Sequence, residues 1–221
     1  MARDSEQLDV RTRLLDAALG LVRSKGYTAT TVDEICTAAG VTKGAFFHHF
    51  RSKDELAVAA VERWSTTTGA LFAGAPYHEP SDPVERVLAY IDFRRSLIAG
   101  EPAGFTCFAG TLVQEIYDAR PAIRDACAAC IRDHAATLVA DIAAAMRARG
   151  LNGQGWTAES LALHTQAVLQ GAFILAKANG GAAAAIDSVD HLRRYVELLF
   201  GGQTLPTQAS PIEPTLTEPQ P

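Results

Sequence analysis

Apolar residues return every third or fourth position along almost the whole chain, and glycine and proline fall between these stretches rather than inside them. A period near 3.6 predicts helices, and its persistence leaves little room for the alternating pattern of half-buried strands, so the expected fold class is all-α. Residues 10–25 place Leu14, Ala17, Ala18, Leu21 and Val22 on one stripe ahead of Gly26. Thr30 or Thr31 can cap the run VDEICTAA, whose Asp33 and Glu34 complement the dipole of its first turn, and Gly40 closes it. A third short helix begins near Thr42, and Ser52 with Glu55 has capping-box spacing for a fourth that continues toward Leu71.

The turn-rich stretch GAPYHEPSDP marks a boundary, after which Asp82 and Pro83 start a helix reaching Leu97 or Ile98. A short helix ending near Tyr117 follows EPAGFTCF, and one long helix is expected over residues 121–149. Two last helices, over about 157–178 and 187–200, are apolar on more than one face. The expected organisation is a flexible arm (1–9), a small helical unit (10–55), a larger helical bundle (56–200) and a disordered tail (201–221) that holds five of the ten prolines.

No run of about 18 apolar residues is present and the first ten residues lack an apolar core, so neither a membrane span nor a secretory leader is expected and the default location is cytoplasmic. Four cysteines, unevenly placed, do not make a disulfide framework. The net charge of -5 excludes a protein that coats nucleic acid indiscriminately, yet it hides an asymmetry. Residues 1–53 carry eight basic against six acidic side chains, and the remainder 12 against 19. No nucleophile, base and acid can be assembled from motifs, and no phosphate loop or cofactor fingerprint is seen, so an enzyme is not expected and no cofactor is called for.

The stretch TTVDEICTAAGVTKGAFFHHF has the build of a helix-turn-helix. Gly40 supplies the positive φ of the turn, Cys36 the small residue where the helices approach, and Val41 and Phe46 can plug the crevice between them. Thr42, Lys43, Gly44, Ala45 and His48 then face outward, on the side that enters a DNA major groove in such motifs. His48 and His49 diverge by about 100° on a helix and do not form a metal site.

The string LLDAALGLVRSKGYTATTVDEICTAAGVTKGAFFHHFRSKDEL resembles the tetracycline-repressor (TetR) family of bacterial regulators. The resemblance implies an N-terminal DNA-binding domain followed by a helical ligand-binding and dimerisation domain, with double-stranded operator DNA, a small-molecule effector and a second copy of the chain as partners. It implies base-reading or groove-facing positions at Lys43, Gly44, Ala45 and His48, and phosphate-contacting ones at Thr31, Thr42, His49 and Lys53; Thr30 joins the DNA-facing set. Phe47 stands where the family most often has a tyrosine, which removes one polar contact to phosphate.

TCFAGTLVQE resembles a segment of one branch of the family, some of whose members respond to electrophiles or oxidants, and makes Cys107 a candidate sensing thiol. An ordinary small buried cysteine is the alternative there. By the same resemblance an effector cavity is implied among the later helices, with Phe93, Phe105, Cys107, Phe108, Tyr117, Cys127, His134, His164, Gln166 and Phe173 as candidate liners. Cys127, Cys130 and His134 share a helix side, but without a second such cluster they are expected to line core or cavity rather than hold a metal. The two last helices resemble the family's four-helix dimer interface, with Ala167, Gly171, Ala172 and Ala176 allowing close approach. The expected function is a homodimeric regulator, a repressor released from a palindromic operator by its effector or by cysteine modification; the alternative is a helical adaptor without operator binding.

Overall fold

The computed structural model describes residues 2–151 and 155–201, and every regular element among them is helical. The tail expected to be disordered therefore lies, Gly201 apart, outside the described residues. α1 (Ala2–Lys25) starts well before residue 10 and takes in the segment expected as a separate arm. That segment contains neither Gly nor Pro, so nothing local stops the helix.

α2 (Val32–Ala39) is capped by Thr31 rather than Thr30, and the cap is a full capping box. Thr31 Oγ1 accepts from Glu34 N at 3.2 Å, and Thr31 N donates to Glu34 Oε2 at 2.9 Å. Gly40 closes it at φ 62°, where a side chain would cost about 1 kcal/mol. Arg13 of α1 finishes this end, donating from Nε to Ala39 O at 2.9 Å and from Nη2 to Gly40 O at 2.8 Å. α3 (Lys43–His49) is capped by Thr42, whose Oγ1 accepts from Ala45 N at 3.2 Å, and α4 (Lys53–Ala73) by Ser52.

Then come α5 (Pro83–Ser96), α6 (Pro102–Phe105) and α7 (Phe108–Ile116). The single helix expected over 121–149 is two, α8 (Pro121–Ala136) and α9 (Val139–Ala148). At the break Thr137 N turns back to His134 O at 3.3 Å and Leu138 N to Ala135 O at 3.1 Å, tight bonds that stop the α-helical ladder. The Thr137 hydroxyl also donates to His134 O at 2.7 Å. α10 (Ala158–Asn179) packs along α11 (Ala183–Phe200), which starts before residue 187 because only Gly180, Gly181 and the N-cap Ala182 of NGGAAAAI lie between the two helices.

Two clusters of buried side chains hold the chain together. One joins α1, α2, α3 and the start of α4 to α7 and the first part of α8, through Leu14, Ile35, Phe46, Leu56, Phe108, Leu112, Ile123 and Cys127. The other gathers α5, α9, α10 and α11 around Tyr90, Ile91, Ile142, Leu169 and Val189. The break at Thr137 lets one stretch of sequence serve both cores. The helix-turn-helix unit therefore shares its core with helices of the larger bundle instead of closing at residue 55.

Candidate nucleic-acid interface and internal cavity

Phe46 is fully buried between α2 and α3, and this orients the rest of α3 outward. Thr42, Lys43, Gly44, Phe47 and His48 are exposed, as are Thr31, the N-cap of α2, and Thr37 within it. Lys43 Nζ pairs with Asp33 Oδ1 at 2.9 Å, and both are mostly exposed, so this is a weak pair that a phosphate or base edge can displace. Phe47, 53% exposed, stands edge-on to Phe46 and offers an apolar surface to whatever docks there.

Three of the expected DNA-facing residues are placed differently. Thr30 is 1% exposed and its Oγ1 donates to Gly26 O at 2.7 Å, so its role is to brace the turn before α2. The Lys53 ammonium turns inward, donating to Tyr27 O at 3.0 Å and Thr30 O at 2.9 Å over the Tyr27 ring. His49 is half-buried beside Phe50; burial first, then His48 and Arg11, push its pKa down.

A cavity of ≈ 490 Å³ lies where α1, α4, α5, α6, α8 and α10 meet. Of the expected liners Phe105, Cys107, His134, Gln166 and Phe173 reach it. The other five do not, because Phe108 and Cys127 are buried in the first core, Phe93 packs on Phe72 and Tyr77, Tyr117 is 63% exposed, and His164 stands edge-on to Tyr195 at the surface. Arg23, Trp64, Phe72, Arg94 and Gln170 line it without having been expected. Nothing in the local pattern separates Arg94 from its neighbour Arg95, which points away to Asp190; only the packing of six helices does.

One wall carries a polar chain. Gln166 Nε2 donates to Tyr90 Oη at 3.2 Å, and Tyr90 Oη lies 2.9 Å from His134 Nε2, with Arg94 Nη1 at 3.5 Å from the same nitrogen. Burial, then Arg94, lowers the His134 pKa to about 4, so the ring is neutral at physiological pH, and in the tautomer with a bare Nε2 that nitrogen accepts from Tyr90 Oη.

Cys107 sits on the cavity edge as the N-cap of α7, its Sγ 3.4 Å from Gly110 N, and is half-buried. It also borders a smaller cavity of ≈ 220 Å³ with Glu115 and Lys177. Cys127 and Cys130 are buried, and desolvation pushes their thiols up to about 12 and about 11. Among the described residues no group of three His, Cys, Asp or Glu side chains is placed to hold a metal ion, and no helix is long and apolar enough to cross a membrane.

The helix-turn-helix unit is tied to α7 by one carboxylate. Glu115 accepts from Tyr27 N at 2.9 Å and from Thr28 N at 3.0 Å, clamping the turn between α1 and α2. Gly26, at φ 89°, leaves room for it, since a Cβ there would run into Glu115 Oε1. Glu115→Ala strips two backbone donors of their acceptor and is expected to lower unfolding free energy by about 2 kcal/mol, with Glu115→Gln in between, as read by urea denaturation.

An exposed α3 set by a capped turn, joined to a helical bundle with a cavity among its helices, defines a protein of the helix-turn-helix regulator class. The chain belongs to the TetR family: the description "Bacterial regulatory proteins, tetR family" matches residues 14–60 and "Tetracyclin repressor-like, C-terminal domain" residues 83–192. It is 32% identical over 103 residues to the transcriptional regulator AcuR of Cereibacter sphaeroides, covering 47% of each chain. It is 36% identical over 86 residues to the regulator AcrR of Shigella flexneri, covering 38% of this chain and 40% of that one, so the chain spans about half the length or less of these two relatives. The crystal structure of a TetR-family regulator from Agrobacterium tumefaciens superposes with TM-score 0.71 at 25% identity, over 86% of this chain and 98% of that chain.

Proposed function

We propose that the chain is a homodimeric repressor that reads a palindromic operator with α3 and leaves it when an effector fills the cavity or when Cys107 is modified. The observation that carries this reading is the exposed α3 face of Thr42, Lys43, Gly44, Phe47 and His48, held in place by Phe46, Arg13 and the Thr42 cap. Support for the dimer comes from a stripe on α10 and α11 where Leu163, Ile174, Leu175, Tyr195 and Leu198 are exposed. Ala167 and Gly171 belong to that outer stripe, whereas Ala172 and Ala176 turn into the protomer's own core and do not serve the approach. A two-fold pair can set two recognition helices about 34 Å apart. Support for Cys107 as the modifiable thiol is its access to the cavity, in contrast to the buried Cys36 and Cys127.

Effector control follows if occupancy moves α7 or α1, because Glu115 of α7 holds the turn that leads into α2 and Arg13 of α1 holds the end of α2. The test is selection from a random-duplex library at physiological salt. One palindrome should be enriched, with Lys43→Ala weakening it about ten-fold or more. Enrichment of nothing by a folded dimer would reject operator binding and leave an adaptor. Gly44→Ala gives a complementary check, since its Cβ would meet nothing nearer than Thr42 Oγ1 at 3.8 Å. The substitution is expected to leave thermal stability equal or raised, by up to about 1 kcal/mol, while the methyl at the groove-facing surface weakens DNA binding.

A further inference from the structure

The cavity contains two arginines that have no carboxylate partner among the described residues. Arg63, Arg86, Arg95 and Arg193 each pair with an aspartate, at 2.6, 2.7, 2.6 and 2.8 Å. Arg94 instead lies over two rings, 5.2 Å from the centroid of Phe72 and 5.8 Å from that of Phe173, and its hydrogen-bond contact is His134 Nε2 at 3.5 Å. Arg23 lies over Trp64 at 5.1 Å, and its buried Nε has no hydrogen-bond partner. Desolvation, opposed by the nearby Cys107, weakens the hold of Arg23 on its proton. Asp133 is the one carboxylate on the lining among the described residues, and it is exposed and forms no ion pair with either arginine. A guanidinium withdrawn from water without its acceptors costs free energy, and an oxyanion entering the same space recovers it.

We propose that the effector is an organic anion, a carboxylate or similar oxyanion on an apolar body, whose charge is received by Arg94 and Arg23 and whose body lies among Phe72, Phe105 and Phe173. The inference rests on the reading of the cavity as the effector site. Its ≈ 490 Å³ fits a small organic molecule rather than a bare inorganic ion. The two cations also sit where a ligand has leverage. Arg94 is on α5 of the bundle, while Arg23 is on α1, the helix whose Arg13 closes α2, so charge pairing acts directly on the helix that carries the DNA-facing unit.

The experiment is calorimetric titration of the full-length protein with benzoate, indole-3-acetate and octanoate, each beside its primary amide. At least one acid should bind about ten-fold or more tightly than its amide, as expected for a charge-assisted contact. Arg94→Met and Arg23→Met should each remove about ten-fold of that preference and leave amide binding within about two-fold, while Arg94→Lys restores part of it. Far-UV circular dichroism shows whether each variant is folded, and Arg94→Lys keeps the charge test open if Arg94→Met is not. Amides that bind as well as acids, or acids indifferent to both arginines, overturn the anion and leave the cavity as an effector site. Absence of binding by every acid and every amide overturns both.

Discussion

Phe46→Ala is expected to cost about 3–5 kcal/mol of unfolding free energy and to abolish DNA binding. The ring is fully buried, 5.9 Å from Phe50 and 5.1 Å from Phe47, and belongs to the cluster that joins the helix-turn-helix unit to α7 and α8. Removing it opens a cavity where α2 and α3 cross, so α3 loses the contact that orients its outer face. Phe47→Ala, one residue on, takes away a side chain that is 53% exposed and should change stability by no more than about 0.5 kcal/mol. Urea denaturation of the two variants side by side checks this, and a loss below about 1 kcal/mol for Phe46→Ala would show that the crevice closes without it.

The second large effect is on pH. His134 is neutral in the folded protein, with a pKa of about 4 against an ordinary value of 6.5. The unfolded chain takes up the proton first as pH falls. The stability tied to the neutral ring is therefore fully present above about pH 6.5, and about 3 kcal/mol of it is lost by about pH 4. Unfolding free energy at pH 5 should be about 2 kcal/mol below that at pH 7. His134→Gln, which keeps an acceptor for Tyr90, should remove most of this slope. His49, lowered by its own burial, acts in the same direction and leaves a remainder. Denaturation curves for both proteins between these pH values decide it, and an unchanged slope in the variant would place the titration elsewhere.

What could be read in the sequence was what local chemistry decides. The caps at Thr31, Thr42 and Ser52 and the left-handed Gly40 fall where short-range hydrogen bonding puts them, and with them the outward face of α3. The break between α8 and α9 was hidden because the apolar stripe runs on through Leu138, which is buried, so that periodicity alone showed one helix. The cavity was half legible. Phe105, His134 and Phe173 carry ordinary pocket chemistry, but Arg23 looks like any basic residue near a helix C-terminus, and only tertiary packing sets it over Trp64. Lys53 and Thr30 misled for the opposite reason, since polar residues beside a recognition helix can be consumed by the turn they stabilise.

Two copies of this chain are expected to read one duplex through α3. Native mass spectrometry of the complex with the library-selected duplex tests it most directly. Two chains per duplex are predicted, falling apart when Leu198, 58% exposed on α11, is changed to Glu. One chain per duplex, or a complex indifferent to Leu198→Glu and Lys43→Ala alike, would contradict it.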